Sequence, residues 1–427
     1  MSYAPQVSVL MPSLNQCDFI EVAVRSVLEQ REAAVELLIS DGGSTDGTLG
    51  LLEKLMIEFC PRLRWVSAAD SGPANAINRA FHSSRGDIIG WLNADDIYAE
   101  DAVAAAVRLL AADAELVMVY GEAHHVDASG RMLHRYPTRP PSVGIEAFQS
   151  GCFICQPTVF MRRCIFEQLG GLDEELSTAF DFDLWLRVFR CFSGRIGHMD
   201  RVQAYSRLHG RTITSLQRKA VASEAVRLLS RYLGCADPHW ILTYIEESTR
   251  TYPSYGTSID LRGHVSEMIT ELASCFDEAT LSRFVSLLNL DRRLAVPAGV
   301  HAEIFPDGWA GRELSLRVRA PFRGSLSLLL QCEHSRPGVS APLGLRIKTN
   351  CGTEASLSIK QPGPFEIVIV FPEVTPGQLL FATVSSSSIF IPIIAEHGST
   401  DARELAFRIT RIFVEQLEFE EGAIRSH

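Results

Sequence analysis

The first 120 residues alternate between two hydrophobic periodicities. Residues 7–11 and 35–39 are apolar runs of the length typical of buried strands, and the residues between them carry an apolar stripe at helical spacing. The stripe consists of Ile20, Val24, Val27 and Leu28. Further strands follow near 65–66 and over 88–92, with helical stripes before each of them. Strands that alternate with helices form βαβ units, so this half of the chain predicts an α/β domain with a doubly wound, mainly parallel sheet.

Polar residues indicate where two of the predicted helices begin. Asp18 and Glu21 have the spacing of a capping box, which would start the first helix at that point. The alanine-rich residues 99–112 predict a later helix. Ser44 and Asp46 lie in the turn 41–47, and we expect structural roles for both, as turn or N-cap residues.

Every predicted strand in this half is followed by a polar or acidic segment. These segments are residues 12–15, 40–41, 69–70 and 93–96. Ligands of open α/β sheets bind at the carboxyl ends of the strands, so the four segments predict one crevice. Asp95 and Asp96 suit a hard cation, Mg²⁺ or Mn²⁺, that shares its oxygen ligands with substrate phosphates. A structural reading stays open, because acidic pairs also favour turns and helix N-termini without any metal.

The second half of the chain has a different pattern. Residues 218–292 are rich in helical patterns, whereas short strand-like runs separated by Pro, Gly and Ser follow from residue 293 onwards. These runs are residues 314–318, 326–330, 365–371, 379–384 and 389–394. We therefore predict three parts: an α/β domain over 1–217, a helical connector over 218–292, and a C-terminal β-sandwich or jelly roll over 293–427.

Composition narrows the functional classes. The formal charge of −11 over 427 residues argues against nucleic acid as a partner, because phosphate neutralisation needs clustered Lys and Arg. No apolar run approaches a membrane span and the first residues do not resemble a signal peptide, so we expect a cytoplasmic protein; peripheral attachment to the inner face of the plasma membrane stays open. The ten cysteines are expected to be reduced, and the CxxC of Cys152 and Cys155 lacks the second pair that a zinc site needs.

An ordered set of short motifs covers roughly the first 215 residues. The motifs are Pro12-Ser13-Leu14-Asn15, Asp41-Gly42-Gly43-Ser44-Thr45-Asp46-Gly47-Thr48, Asp70-Ser71-Gly72, Ala76-Ile77-Asn78, Trp91-Leu92-Asn93-Ala94-Asp95-Asp96, Gln156-Pro157-Thr158, Gly170-Gly171-Leu172-Asp173, Asp181-Phe182-Asp183-Leu184-Trp185 and Arg207-Leu208-His209. Together they resemble the family 2 glycosyltransferases of GT-A fold, and the C-terminal half resembles the β-sandwich modules appended to some bacterial polysaccharide glycosyltransferases.

The resemblance implies a role for each matched residue. Asp181 would be the catalytic base, with Asp183 as its competitor, and a cation (Mn²⁺ or Mg²⁺) would be held by Asp96, Asp95 and His209. For His209 a structural role in its loop is equally open. The nucleotide-sugar would contact Pro12, Ser13, Asn15, Asp41, Asp70, Asn78, Asn93 and Asp95. The acceptor would contact Gln156, Asp183 and Trp185.

Two hypotheses follow from this resemblance. The first is a metal-dependent, inverting glycosyltransferase that moves a sugar from a UDP-linked donor to a glycan or lipid-linked glycan in bacterial surface polysaccharide synthesis. The second is a noncatalytic glycan-binding scaffold with a degenerate transferase domain. Asn93 and Phe180 stand where many relatives have carboxylates, which leaves the donor and acceptor class open. The C-terminal part could bind the acceptor, dock a partner or form a homo-oligomer. A nicotinamide dehydrogenase is disfavoured because residues 42–47 lack the GxGxxG spacing, and a P-loop phosphotransferase is unsupported because the sequence contains no P-loop motif.

Overall fold

The computed structural model describes residues 6–250, 261–297, 299–334, 342–389, 391 and 401–417. Contacts within the chain divide it into two compact units, Met1–Trp240 and Ile241–His427, and each unit is described here by itself. The three-part division predicted from the sequence stays a prediction. Its central part, residues 218–292, contributes one helix to the first unit and others to the second.

The described part of the first unit is built on one mixed sheet of nine strands. The strands are β1 Val7–Ser13, β2 Val35–Asp41, β3 Leu63–Ser67, β4 Ile88–Trp91, β5 Ile97–Tyr98, β6 Met118–Val126, β7 Met132–Arg135, β8 Phe160–Arg162 and β9 Ile196–Arg207. Their order is β3-β2-β1-β4-β8-β6-β9-β5, with β7 paired to β6. The first four neighbours, β3-β2-β1-β4, are all parallel, as the alternation of strands and helices predicted.

Helices accompany this sheet. Those of the first unit are α1 Ile20–Leu28, α2 Thr48–Phe59, α3 Pro73–Ser83, α4 Ala102–Ala112, α5 Arg163–Gln168, α6 Phe180–Cys191, α7 Ile213–Leu216 and α8 Arg218–Leu233, and α9 His239–Arg250 begins at its end. The strands β1 and β2 are buried along their whole length, which explains their continuous apolar runs. One hydrophobic core unites them with the apolar stripes of α1, α2 and α4. The predicted α/β fold is confirmed.

Two helix starts differ from the sequence predictions. Helix α1 has Phe19 as its N-cap and no side-chain cap, because Asp18 pairs with Arg211 at 2.7 Å instead of capping. The predicted capping box is therefore wrong. Helix α4 begins at Ala102, three residues later than predicted, since Ile97 and Tyr98 form a short strand against β9. In both cases a partner distant in sequence overrides the local preference.

The described part of the second unit contains helices followed by two antiparallel sheets. The helices are α10 Leu261–Glu271 and α11 Glu278–Leu290; the strands are β10 Val300–Ala302, β11 Trp309–Ala310, β12 Glu313–Arg319, β13 Gly324–His334, β14 Leu343–Thr349, β15 Glu354–Ile359, β16 Gly363–Val374, β17 Leu379–Ser386 and β18 Phe407–Leu417. The sheets run β10-β12-β17-β14-β15 and β11-β18-β13-β16, and one buried apolar cluster draws on both. The predicted β-rich C-terminal module is confirmed.

One predicted strand lies largely outside the described residues. The strand predicted over 389–394 falls mostly outside the described residues, and residues 389 and 391 are not in a strand. Within the described parts of the chain, no helix combines the length and apolar character that crossing a membrane requires.

Candidate functional site

The carboxyl ends of the four parallel strands lie along one edge of the sheet. Strands β1 and β2 pair in register up to Ser13 and Asp41, and Asp41 in turn lies beside Ser67 at the end of β3. Strand β4 pairs with the other side of β1 and leads into the acidic segment at Asn93. The polar segments predicted to converge on one crevice therefore follow neighbouring strands at the same edge of the sheet.

The buried side chain of Asp41 holds together the residues at this edge of the sheet. Its carboxylate is completely buried and accepts five hydrogen bonds within the protein. The donors are the hydroxyls of Ser13 at 3.2 Å, Ser44 at 2.5 Å and Ser67 at 2.7 Å, and the main-chain N–H groups of Gly43 at 3.0 Å and Ser44 at 2.8 Å. Burial alone would raise the pKa of Asp41, but these bonds lower it below its ordinary value. Its predicted contact with a nucleotide base stays a prediction, and its burial argues against it.

A second set of bonds joins the loop after β1 to the loop after β2. The N–H of Asn15 donates to Ser44 Oγ at 2.7 Å, and Asn15 Oδ1 accepts from the N–H of Thr45 at 2.9 Å. Asn15 adopts a left-handed backbone with φ 53°, which asparagine tolerates better than most residues. Asp46 accepts from Cys17 and Thr48, so Ser44 and Asp46 have the structural roles expected of them.

Two further candidate donor-site residues stand near these loops. Asp70 accepts a hydrogen bond from the N–H of Gly72 at 3.0 Å and lies against Gly42, where an added Cβ would come within 3.1 Å of Asp70 Oδ2. Pro12 is buried within β1. Asp70 thus reaches the crevice beside the turn that follows β2.

The side chain of Asn78 is engaged with the loop that follows the double glycine. Its amide exchanges hydrogen bonds with the main chain of Leu172 at 2.9 and 3.0 Å and donates to Glu174 at 2.7 Å. A Cβ on Gly171, which has φ +75°, would lie 2.7 Å from Asn78 Oδ1. The double glycine at 170–171 therefore allows the close approach of this loop to α3. The predicted contact of Asn78 with the nucleotide-sugar stays a prediction.

The acidic segment after β4 meets the end of β9 at His209. His209 Nε2 lies 3.0 Å from Asp95 Oδ2, and both side chains are largely buried. The N–H of Arg211 donates to His209 Nδ1 at 3.2 Å, so in the neutral ring Nε2 carries the proton and donates to Asp95. The imidazole also stacks on Phe19 with the ring centroids 4.9 Å apart. The structure thus brings together two of the three predicted metal ligands.

Asp96 is the more deeply buried carboxylate of the pair. Its side chain accepts from the N–H of Arg207 at 2.8 Å and from Asn93 Nδ2 at 3.3 Å. Burial and the neighbouring charge of Asp95 hold the pKa of Asp96 well above its ordinary value. The guanidinium of Arg207 donates to the carbonyls of Asp95, at 2.8 Å, and of the hairpin residues 127 and 128. Arg207 therefore shapes the acidic segment with both its main chain and its side chain.

Asp181 lies in the first turn of α6 and is partly buried. Its Oδ1 accepts from the N–H of Phe182 at 2.7 Å. Burial raises the pKa of Asp181 to about 6, although this hydrogen bond opposes the rise. A carboxylate with such a pKa is ionised at neutral pH and is a stronger base than an ordinary aspartate.

The thiol of Cys155 lies close enough to both Asp96 and Asp181 to interact electrostatically with each. Burial raises the pKa of Cys155 well above its ordinary value, and Asp96, Cys152 and Asp181 add to the rise in that order. Burial and Asp181 likewise raise the pKa of Cys152 to about 12. Both thiols of the CxxC are therefore protonated at neutral pH, which disfavours thiolate chemistry. Asp96 and Asp181 both lie near the Cys155 thiol.

The three residues predicted to contact an acceptor are all largely buried. Asp183 accepts from Arg187 Nε and from the hydroxyl of Tyr232, each at 2.8 Å, and Trp185 is 1% exposed. Gln156 donates to the carbonyl of Trp91 at 2.7 Å, while its own buried carbonyl oxygen has no partner among the described residues. The acceptor contacts stay predictions, and the burial of Asp183 and Trp185 argues against them.

The side chains around the acidic segment include possible ligands for a metal ion. Across the described ranges of the chain, no three His, Cys, Asp or Glu side chains are arranged to enclose an ion. Asp95 and Asp96 nevertheless offer carboxylate oxygens on an acidic segment at the strand ends, and His209 Nε2 would become a ligand beside them on giving up the proton that it donates to Asp95. Mg²⁺ and Mn²⁺ commonly take few protein ligands and complete their shell with waters and phosphate oxygens. The residues present therefore fit a cation that is shared with a diphosphate.

Two residues important to this arrangement were not singled out from the sequence. Arg207 was noted only as part of a motif, and Glu224 was not noted at all, yet both hold the main chain next to predicted site residues. The motif around His209 was a signal for Arg207. For Glu224, in an ordinary helical pattern, the sequence contains no such signal.

The first half of the chain is similar in sequence to proteins of one family. Residues 8–170 match the family model described as Glycosyl transferase family 2. A chondroitin synthase of Escherichia coli is 29% identical over 221 residues, which are 52% of this chain and 31% of that protein. A hyaluronan synthase of Pasteurella multocida is 30% identical over 207 residues, which are 48% of this chain and 21% of that protein. The chain thus spans less than a third of the length of either synthase.

Among solved structures, the chain is similar to S. aureus TarS 1–349 in complex with UDP-GlcNAc. The TM-score is 0.50 at 18% identity, and the match covers 67% of this chain and 87% of the TarS chain. At this level of identity the likeness establishes a common fold.

Proposed function

The N-terminal part of this chain, residues 8–170, belongs to glycosyl transferase family 2, and we propose on that premise that the protein is a metal-dependent, inverting glycosyltransferase. Its donor is a UDP-linked sugar and its acceptor is a hydroxyl of a glycan or lipid-linked glycan. Two relatives named chondroitin synthase and hyaluronan synthase support a glycan acceptor, and the fold shared with TarS, which binds UDP-GlcNAc, supports the donor class. We place the reaction in bacterial surface polysaccharide synthesis.

One observation carries the proposal. The base candidate Asp181 and Asp96 of the acidic segment both interact electrostatically with the same buried thiol, that of Cys155. A transferase needs two such groups near one site, because one must deprotonate the acceptor while the other helps to hold the diphosphate. Asp183 is disfavoured as the base, since both its oxygens already accept hydrogen bonds from Arg187 and Tyr232.

In the proposed reaction, Asp181 accepts the proton of the acceptor hydroxyl. As that proton leaves, the acceptor oxygen forms a bond to the anomeric carbon from the face opposite the diphosphate. The bond between the anomeric carbon and the diphosphate oxygen breaks, and its electron pair departs with the nucleoside diphosphate. One displacement of this kind inverts the anomeric centre. Positioned general bases contribute roughly 10²- to 10⁴-fold to such steps.

Asp96 and Asp95 would hold the cation, with His209 as a further candidate ligand. A bound Mn²⁺ or Mg²⁺ would offset the negative charge that develops on the departing diphosphate. Arg207 keeps the acidic segment in place for this role, through its bonds to Asp96 and to the carbonyl of Asp95.

The test is release of nucleoside diphosphate from UDP-, GDP- and dTDP-sugars, with Mn²⁺ or with EDTA. Wild type is compared with Asp96→Ala, Asp181→Asn and the distant surface variant Glu58→Gln. We expect metal-dependent release from a UDP-sugar that both site variants lose and the surface variant keeps. Release that both site variants retain would refute the assigned roles. If no donor binds or reacts, the noncatalytic glycan-binding scaffold becomes the better description.

A further inference from the structure

Helix α8 lies outside the residues that match the family model, yet it contacts the segment that leads into Asp181. We propose that Glu224 of α8 is a positioning residue that holds the catalytic base Asp181 in place. The inference rests on the function proposed above, because it takes Asp181 as the base. It extends the catalytic domain by a helix and by a residue that the sequence motifs do not include.

The contact is a dense set of hydrogen bonds from three consecutive residues. Glu224 Oε1 accepts from the N–H of Ser177 at 2.9 Å and from its hydroxyl at 2.6 Å. Glu224 Oε2 accepts from the N–H of Thr178 at 2.9 Å, from its hydroxyl at 2.7 Å and from the N–H of Ala179 at 2.8 Å. Burial opposes ionisation, but these bonds lower the pKa of Glu224 below its ordinary value. The side chain therefore binds as a carboxylate.

Helix α6 begins without a side-chain cap of its own, and the residues that precede it are held by Glu224 instead. Its N-cap residue is Ala179, whose side chain cannot accept a hydrogen bond. The carboxylate of Asp181 is engaged with the N–H of Phe182, the next residue. Glu224 supplies acceptors from outside the helix, and it fixes the three residues that end two positions before Asp181. A shift of this segment would move the base directly.

A second bond ties the same two helices together. About two turns after Glu224, the hydroxyl of Tyr232 donates to Asp183 Oδ1 at 2.8 Å. Asp183 in turn pairs with Arg187 of its own helix at 2.8 Å. Because α8 is held against α6 at two points, Glu224 cannot readily follow a displaced loop. The hydrogen bonds from residues 177–179 to Glu224, which we call the Glu224 clamp, therefore act as a fixed support.

The clamp also lies on the chain segment that carries His209. This segment continues from the end of β9 through α7 into α8 without another element between them. His209 contacts Asp95 at its start and Glu224 contacts the approach to Asp181 further on. One stretch of chain thereby supports both the cation side and the base side of the proposed site.

Glu224→Gln is the sharpest variant because it keeps the length of the side chain. A glutamine has one acceptor oxygen, and its NH₂ group cannot accept from a main-chain N–H. In its better orientation it keeps the bonds from Thr178 and Ala179 and leaves the N–H of Ser177 facing a donor. Glu58→Gln is the matched control, since Glu58 is also a glutamate with a lowered pKa, paired with Arg25 on the surface away from the site.

The experiment compares these two variants with wild type in the full chain. Amide hydrogen exchange is measured over residues 177–183, and kcat and donor KM are measured from release of nucleoside diphosphate. We expect exchange in this segment to become about tenfold faster in Glu224→Gln, the effect of losing a hydrogen bond to a charged group. We expect kcat to fall about tenfold to a hundredfold with donor KM unchanged, because the base is displaced and the donor loops are not.

The outcomes separate this inference from the proposed function. Faster local exchange with a selective loss of kcat supports the clamp, provided that Glu58→Gln changes neither quantity. Unchanged exchange over 177–183, or a loss of kcat equal to that of the control, refutes the clamp while wild-type turnover upholds the transferase. Absence of turnover in wild type refutes the proposed function, and the role of Glu224 with it.

Discussion

Replacement of Asp181 by asparagine should stabilise the protein while it abolishes most of the activity. The substitution keeps the shape of the side chain and removes its charge. Burial raises the pKa of Asp181 from 3.8 to about 6, which means that the folded protein disfavours the ionised form. The asparagine also retains an oxygen that accepts from the N–H of Phe182. The variant therefore relieves the cost of burying a charge.

The magnitude follows from the difference in pKa between folded and unfolded chains. At 1.36 kcal/mol for each pKa unit, the ionised carboxylate costs the folded state about 3 kcal/mol at pH 8. Because the folded pKa is raised, stability is fully present below the unfolded pKa and is lost as the pH rises through about 6. The same pKa difference implies that the wild-type free energy of unfolding falls by roughly 1.4 kcal/mol between pH 5 and pH 8. The advantage of the variant should grow by that amount over this interval.

Thermal unfolding followed by tryptophan fluorescence measures this effect. Four of the five tryptophans lie in the first unit, at positions 65, 91, 185 and 240. For a unit of this size, the gain between pH 5 and pH 8 corresponds to a Tm difference of roughly 3–6 °C between Asp181→Asn and wild type. Release of nucleoside diphosphate by the variant should fall about 10²-fold or more, and the wild-type rate should rise with pH through about 6.

Asp46→Asn is the matched control, because its stability relative to wild type should change with pH in the opposite direction. Hydrogen bonds from Thr48 and Cys17 lower the pKa of Asp46 although burial opposes this, so wild-type stability gained from this group is present at neutral pH and is lost as the pH falls. The control should be less stable than wild type, and the deficit should shrink in acid. A Tm advantage of Asp181→Asn that does not change between pH 5 and pH 8 would refute the reasoning, as would wild-type turnover by this variant.

Four further substitutions test the rest of the site. His209→Ala should raise by at least about tenfold the Mn²⁺ concentration that gives half-maximal release of nucleoside diphosphate, because even residues that only support a metal ligand cost this much metal affinity when they are replaced. An unchanged Mn²⁺ titration would exclude His209 as a ligand. Asp41→Asn should lower the stability of the first unit by about 2–3 kcal/mol, because an amide cannot replace both acceptor oxygens, and Ser67→Ala should cost less; equal melting curves would contradict the role of Asp41. Arg207→Lys should weaken Mn²⁺ activation and lower Tm, because a lysine ammonium does not reproduce the guanidinium hydrogen bonds to three carbonyls. A variant that matches wild type in both assays would contradict the role of Arg207 in the site.

The order of strands and helices in the first half followed from periodicity. The runs at 7–11 and 35–39 became β1 and β2, and the stripe from Ile20 to Leu28 became the buried face of α1. These predictions succeeded because burial on both faces of a parallel strand, or on one face of a helix, leaves a pattern within a few residues. The capping box at Asp18 failed because the Asp18 side chain pairs with Arg211, 193 positions away, and Phe19 is the N-cap.

The sequence by itself thus determined the α/β class, the β-rich second half, and the polar segments at the ends of neighbouring strands. Only the tertiary structure decided which of these side chains are engaged inside the protein and which support the site. It buried Asp41 and Asp183 in hydrogen bonds, joined Arg207 to Asp96 across 111 positions, and brought Glu224 to the residues before Asp181 across 45. The physical reason is range: periodicity reflects the burial of neighbouring residues, whereas a buried carboxylate takes whichever donors packing brings within 3 Å.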